Sequence, residues 1–271
     1  MKMSNTRRMV ECAVLVALAS VLSVFKLVDL PFGGSVTLAS ALPIIIASYR
    51  HGCGWGLLSG FTYAVVEQVA GLKNLSYVTG WQSVVAVIVL DYILAFTLIG
   101  LGGLLRGQLG RQNVEMALGA VLVSVLRYIR HVIAGATVWK GLSIPDAGAM
   151  IYSLGYNATY MLPETLVLVT AILYLGALVD FSRPDIVRLS RESLRQNGFV
   201  YNAVAGAAVI LAVITDVILL SPYLQDSEGM FTLARLSEAN ILAVSIVSAV
   251  AALVAISAVV IRHVLKKRIE E

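Results

Sequence analysis

The sequence predicts an all-α polytopic membrane protein: a core of six helices, two extra C-terminal transmembrane helices, and both termini in the cytoplasm. Three observations carry that expectation. Of the 271 residues 59% are hydrophobic and 13% charged, whereas soluble domains use roughly 25% charged residues. Apolar runs approaching the roughly 20 residues that cross a bilayer recur along the chain, more than one soluble core could absorb. The Lys and Arg residues crowd alternate gaps between these runs, as cytoplasmic loops do.

The first span, near 9–28, follows the basic start "MKMSNTRRMVECAVLVALAS". That start imitates a secretory signal, with small residues at Ala17, Ala19 and Ser20 after an apolar stretch. Further spans follow at once, so a retained helix with its basic end inside is the simpler expectation. The second span, 36–49, is short and comes after "DLPFGGS", where Pro31, Gly33 and Gly34 favour a loop that dips back first. Spans three to six are expected near 54–71, 81–104, 114–138 and 149–180. The loop "DFSRPDIVRLSRESLRQNG" is the most basic of the chain. It divides a core at 1–180 from an extension at 199–271, with 181–198 as a cytoplasmic linker. The last spans, 199–220 and 238–262, carry few polar groups beyond Asn202 and Asp216 and read as packing helices.

With the N-terminus inside, fourteen of the 20 Lys and Arg residues fall on the cytoplasmic side. Lys26, Lys73, Lys140 and Arg235 fall outside, and Arg127 and Arg130 stay within the fifth span. This scatter also argues against nucleic acid as a partner, despite the net charge of +4, because no single basic stripe results. Cys12 and Cys53 lack metal-ligand spacing and read as apolar filler. No phosphate-binding G-x-x-x-x-G-K-[ST], H-E-x-x-H or G-x-S-x-G segment occurs, so no ATPase or familiar hydrolase site is expected.

Ionisable groups inside spans are costly and mark functional positions. Asp91, in "VVAVIVLDYILAF", stands ten residues after Trp81, about 15 Å along a helix entering from outside. His131 lies near the outer end of the fifth span with Trp139 beyond it, and Tyr152 and Asn157 open the sixth. These groups would converge in the outer half of the membrane. An anion, an imidazole, an amide, a phenol and an indole suit a flat, nitrogen-rich cation, with Trp81, Trp139 or Tyr92 offering ring faces. Plainer readings stand beside this one. Asp91 could pair with Arg127 as structural glue, His131 could be a packing histidine, and Trp81, Trp139 and Tyr152 suit an interfacial aromatic belt. Tyr152 and Asn157 lie about 140° apart on a helix. Glu67 reads as structural or solvated. Ala13 and Ala17, four apart in "ECAVLVALAS", form a small-residue face that would let another helix approach, within the chain or from a partner.

In order and spacing, several segments resemble the thiamine-specific S components of energy-coupling factor (ECF) vitamin transporters. They are "ECAVLVALAS", "PFGGSVTLASALPIIIASYRHGCGWGLLSGFTY", "LDYILAFTLIGLGGLLR", "VLRYIRHVIAGATVWKG" and "AMIYSLGYNA", over about residues 8–180. The resemblance implies that Asp91 and Tyr92 match the family's acid–tyrosine pair, the acid binding thiamine. It places His131, Trp139, Tyr152 and Asn157 in the ligand pocket and Trp81 at an aromatic position ten residues before the acid. It makes Ala13 and Ala17 the face that packs on the transmembrane coupling subunit. It implies capture of thiamine from outside by a multi-pass subunit of the cell membrane. Separate ATPase subunits would energise uptake, and this chain would perform no reaction and need no cofactor or metal. Asp91 is one methylene shorter than the glutamate of some members, "LPFGGSV" lacks a tryptophan that some carry, and residues beyond about 198 have no counterpart. The same fold could instead bind a thiamine precursor or another vitamin. A reading from another class is a membrane enzyme or sensor using Asp91, His131 and Glu67 for proton transfer.

Overall fold

The structure is a computed structural model that describes residues 3–30, 33–78, 80–140, 148–189, 199–224, 232 and 234–270. Among these residues, besides short 3₁₀ turns, the chain forms eight helices: α1 (Asn5–Val24), α2 (Leu42–His51), α3 (Cys53–Ala70), α4 (Trp81–Leu101), α5 (Gln112–Thr137), α6 (Ala149–Leu178), α7 (Phe199–Leu220) and α8 (Ile241–Glu270). The five from α4 to α8 are long and apolar enough to cross a membrane. The fold is therefore the all-α polytopic membrane class that composition predicts.

The second expected span is shorter than its apolar run. Residues Ser35–Thr37 form a strand, β2, paired antiparallel with β1 (Lys26–Asp29), and the helix itself has ten residues. At 1.5 Å per residue that is about 15 Å, half the hydrocarbon thickness. Two residues explain it. Pro43 sits at the helix start, where its missing N–H costs nothing. Gly52 ends the helix with φ +91, a conformation that β-carbon-bearing residues avoid. The expected loop before this span is thus a two-stranded ribbon, and residues 31–32, between its strands in sequence, lie outside the described residues.

Contacts divide the chain into two compact units, Met1–Leu168 and Val169–Glu271. In the first, α2 is the buried centre, enclosed from Leu42 to Arg50. Helices α3 and α4 meet backbone to backbone, because Gly56 and Gly100 face each other. A Cβ on either would strike the main chain of the other. Such small-residue contacts are how helices associate without a hydrophobic driving force. Ser48 of α2 fastens the same junction: its hydroxyl donates to the Gly100 carbonyl and accepts from the Gly103 N–H at 2.9 Å. Gly100→Val is expected to lower stability by about 3 kcal/mol by prising α3 from α4. Thermal melting in detergent checks this, and an unchanged midpoint would remove the contact from the account.

Helix α4 is not uniform. Residues Ile88–Leu94 form a π-helical stretch, between an α-helical start at Trp81–Val87 and an end at Ala95–Leu101 that is α then 3₁₀. Such stretches are rare and concentrate at functional sites.

In the second unit, α7 and α8 pair antiparallel. Ser248 donates to Asp216 Oδ2 at 2.7 Å, and Arg262 Nη1 donates to Asn202 Oδ1 at 3.0 Å. The two bridges have the same spacing along both helices, which fixes their register. Asn202 and Asp216, expected in packing helices, are the groups that do the fixing. A second ribbon joins Val179–Asp180 to Val187–Arg188.

Candidate ligand-binding site

The π stretch carries Asp91, and two groups close on its carboxylate, one from α5 and one from just beyond its C-terminal end. His131 Nδ1 lies 3.1 Å from Oδ1, and Trp139 Nε1–H donates to Oδ2 at 2.8 Å. The Asp91 and His131 side chains retain 15% and 12% exposure, so this anion is enclosed but reachable. The pairing with Arg127 considered from sequence does not occur. Arg127 instead faces Glu164 of α6, Nη1 to Oε2 at 3.7 Å, and its guanidinium lies 4.9 Å from the Phe96 ring centre. The Thr37 hydroxyl adds a contact to Glu164 Oε1 at 3.2 Å. Buried ion pairs persist only when further hydrogen bonds complete them, and Glu164 meets that condition.

Trp139 also belongs to an apolar wall with Val78, Val87 and Ala149, against which Tyr92 and Tyr152 pack. Asn157 is buried with both ends of its amide engaged: Nδ2 donates to the Ser153 carbonyl at 2.8 Å, and Oδ1 accepts from Tyr160 at 2.6 Å. The Tyr160 ring lies 6.4 Å from that of His131. The structure therefore gathers Asp91, His131, Trp139, Tyr152 and Asn157, with Tyr92 alongside. The Tyr92 hydroxyl is occupied by Asn74 Nδ2 at 2.9 Å and the Gly71 carbonyl at 3.3 Å, so its ring rather than its oxygen borders the site. Trp81 stands apart at the start of α4 with 72% exposure, as an interfacial belt residue would. Ala13 and Ala17 are exposed on α1, on the flank of the buried row Cys12, Val16, Ala19 and Ser23.

Tyr156, Tyr160, Asn74 and Glu164 were absent from the sequence-based set. Tyr156 accepts the Gly34 N–H at 3.1 Å, so α6 holds the loop that follows β1. Gly34 has no space for a side chain: a Cβ would lie 2.7 Å from that hydroxyl. A signal existed, since Tyr152, Tyr156 and Tyr160 repeat every four residues and so share one helical face. Asn74 and Glu164 had no such mark. Among the described residues no three His, Cys, Asp or Glu side chains gather as metal ligands. The chemistry on offer is hydrogen bonding and charge around one carboxylate, beside aromatic faces.

A profile of the thiamine transporter protein family matches residues 9–180, which contain every group of this site. The chain belongs to that family. It is similar to the thiamine transporter ThiT of Bacillus subtilis, at 33% identity over 183 residues, covering 63% of this chain and 91% of that protein. ThiT of Lacticaseibacillus paracasei is 24% identical over 141 residues, 48% of this chain and 68% of that one. Among solved structures, ThiT from Listeria monocytogenes shares the fold with a TM-score of 0.52 at 24% identity, over 64% of this chain and 95% of that chain. These relatives are named transporters, not enzymes. This member of the family carries α7 and α8 beyond the matched residues.

Proposed function

We propose that the chain binds thiamine on the outer side of the membrane and delivers it as the substrate-specific subunit of an ECF-type transporter. One observation carries the reading: Asp91 is held between His131 Nδ1 and Trp139 Nε1, within the part of the chain that matches the thiamine transporter family. A fixed anion flanked by an indole and an imidazole supplies what an aminopyrimidine joined to a cationic ring needs, acceptors and a face for stacking. Tyr92, Tyr152 and Asn157 complete the proposed site, and Trp81 marks its outer rim. Ala13 and Ala17 form the surface for the transmembrane coupling subunit, an exposed face of small residues on α1. Both termini are cytoplasmic in this proposal, and residues 1–180, 181–198 and 199–271 are core, linker and extension.

The purified chain is expected to bind thiamine saturably without ATP, seen as quenching of tryptophan fluorescence. Uptake into vesicles should require added coupling and ATPase subunits. Tighter binding of either half of the molecule than of whole thiamine would replace thiamine by a precursor in this proposal. Tyr156→Phe removes the acceptor of the Gly34 N–H and is expected to raise the thiamine dissociation rate by about fivefold, the worth of one hydrogen bond. Stopped-flow release measures that, and an unchanged rate would detach the first loop from ligand retention.

A further inference from the structure

Arg127 stands one turn along α5 from His131, and Glu164 one turn along α6 from Tyr160, so each pair shares a helical face. Tyr160 links the two levels. Its ring lies 6.4 Å from that of His131, and Asp91, Arg127 and Glu164 all act electrostatically on its hydroxyl. Phe96 of α4 links them again: the Arg127 guanidinium lies 4.9 Å from its ring centre, and Tyr92 stacks on it at 6.2 Å. The Arg127–Glu164 pair is therefore the layer next to the Asp91 site. Both residues are 5% exposed, and Arg127 Nε is buried with no hydrogen-bond partner. Glu164 is the carboxylate in ionic contact with this guanidinium. Glu67 of α3 also attracts it, with Ser23 and Tyr63 beside the Glu67 carboxylate.

A guanidinium keeps its charge wherever it is placed, and in a poorly solvated interior its field reaches several ångströms. Without Glu164, that field would oppose any cation drawn to Asp91. Asp91 and Glu164 set against Arg127 leave a net negative charge, whereas Asp91 against Arg127 alone leaves none. We propose that Glu164 is a specificity-determining residue of the ligand site: it neutralises Arg127 and so keeps Asp91 attractive to a permanent cation. It acts through Arg127 and makes no contact with the ligand. This rests on the thiamine reading above and adds a residue that selects for charge rather than shape.

The test compares two ligands on the purified full chain by calorimetry: thiamine, and an uncharged isostere with a thiophene in place of the thiazolium. Glu164→Gln is expected to lower the ratio of thiamine affinity to isostere affinity by about 10- to 100-fold, the scale of a unit charge about 8 Å away at an effective dielectric constant of about 20. Arg127→Gln should raise the same ratio by about threefold or more. The double variant removes both charges and should bring the ratio back to within about threefold of wild type. Thr37→Val, which takes away the other contact of Glu164 without changing a charge, should leave the ratio as it was. An ion pair that only held helices together would weaken both ligands alike when either partner is removed. Should Glu164→Gln not fold, Arg127→Gln and the double variant carry the test, because replacing both members of a buried pair is often neutral for stability. Equal losses for both ligands, shifts of the same sign in the two single variants, a double variant that stays shifted, or a matching shift in Thr37→Val would each overturn the proposal. A wild-type chain that binds neither ligand would overturn the thiamine reading itself, together with this proposal. Wild-type thiamine binding whose ratio Glu164→Gln leaves intact would overturn the Glu164 role alone.

Discussion

Asp91→Asn is expected to weaken thiamine binding by about a hundredfold or more while leaving the protein at least as stable. The affinity term follows from removing the charge of the group proposed above to meet the ligand. Truncating one partner of a buried charged contact costs about 2–5 kcal/mol, and about 1.4 kcal/mol is tenfold in affinity. The stability term has the opposite sign. An aspartate inside a span costs about 2.5–3.5 kcal/mol on insertion scales, and the amide relieves it while its oxygen still accepts from Trp139 Nε1. Calorimetry and thermal melting on one preparation separate the two effects. Unchanged affinity would remove Asp91 from the site, whereas a fall in both quantities would make it the structural glue that sequence alone left open.

The largest expected loss of stability lies at the other end of α5. Glu115 is 2% exposed, and its carboxylate accepts the N–H groups of Gly107, Leu109 and Gly110 at 2.9, 2.9 and 3.0 Å and the Tyr49 hydroxyl at 2.7 Å. Gly107 and Gly110 hold φ of +75 and +69 to aim those groups inward. Glu115→Ala would leave four donors without their acceptor, at a cost of about 4 kcal/mol. That corresponds to about 10 °C in melting temperature for a chain of this size. Glu115→Gln keeps an oxygen on one side and should lose about half as much. The thiamine affinity of the folded fraction should stay within about twofold, because His131 and Trp139 stand at the far end of the helix. A large fall in affinity without a fall in melting temperature would contradict this division of labour.

How far these features could be read from the sequence depends on what each residue announces. Asp91 was conspicuous because it interrupts an apolar run, and His131 and Trp139 because few such residues occur in the spans. Their actual partnership needed the packing of α4 on α5, which no periodicity encodes. Arg127 and Glu164 show the limit. They are 37 positions apart on different helices, so nothing local pairs them, and Arg127 was first weighed against Asp91. The shortness of α2 was legible in Pro43 and Gly52 but hidden by the apolarity of residues 36–41, which continue the run while folding as strand and turn. Asn74 carries no signal at all: a polar residue in a short turn is ordinary until its amide is seen holding Tyr92.

The π stretch of α4 has a consequence for comparing this chain with others. A π turn accommodates one residue more than an α turn, and each residue of an α-helix turns by about 100°. Trp81–Val87 and Ala95–Leu101 are therefore out of phase with each other by about one residue. A helical wheel drawn through all of α4 assigns one half to the wrong face. A relative that lacks the stretch would line up with this chain only through a single-residue gap inside an otherwise unbroken helix. Such a gap would look like noise in an alignment, yet it would mark where the orientation of the acid was set.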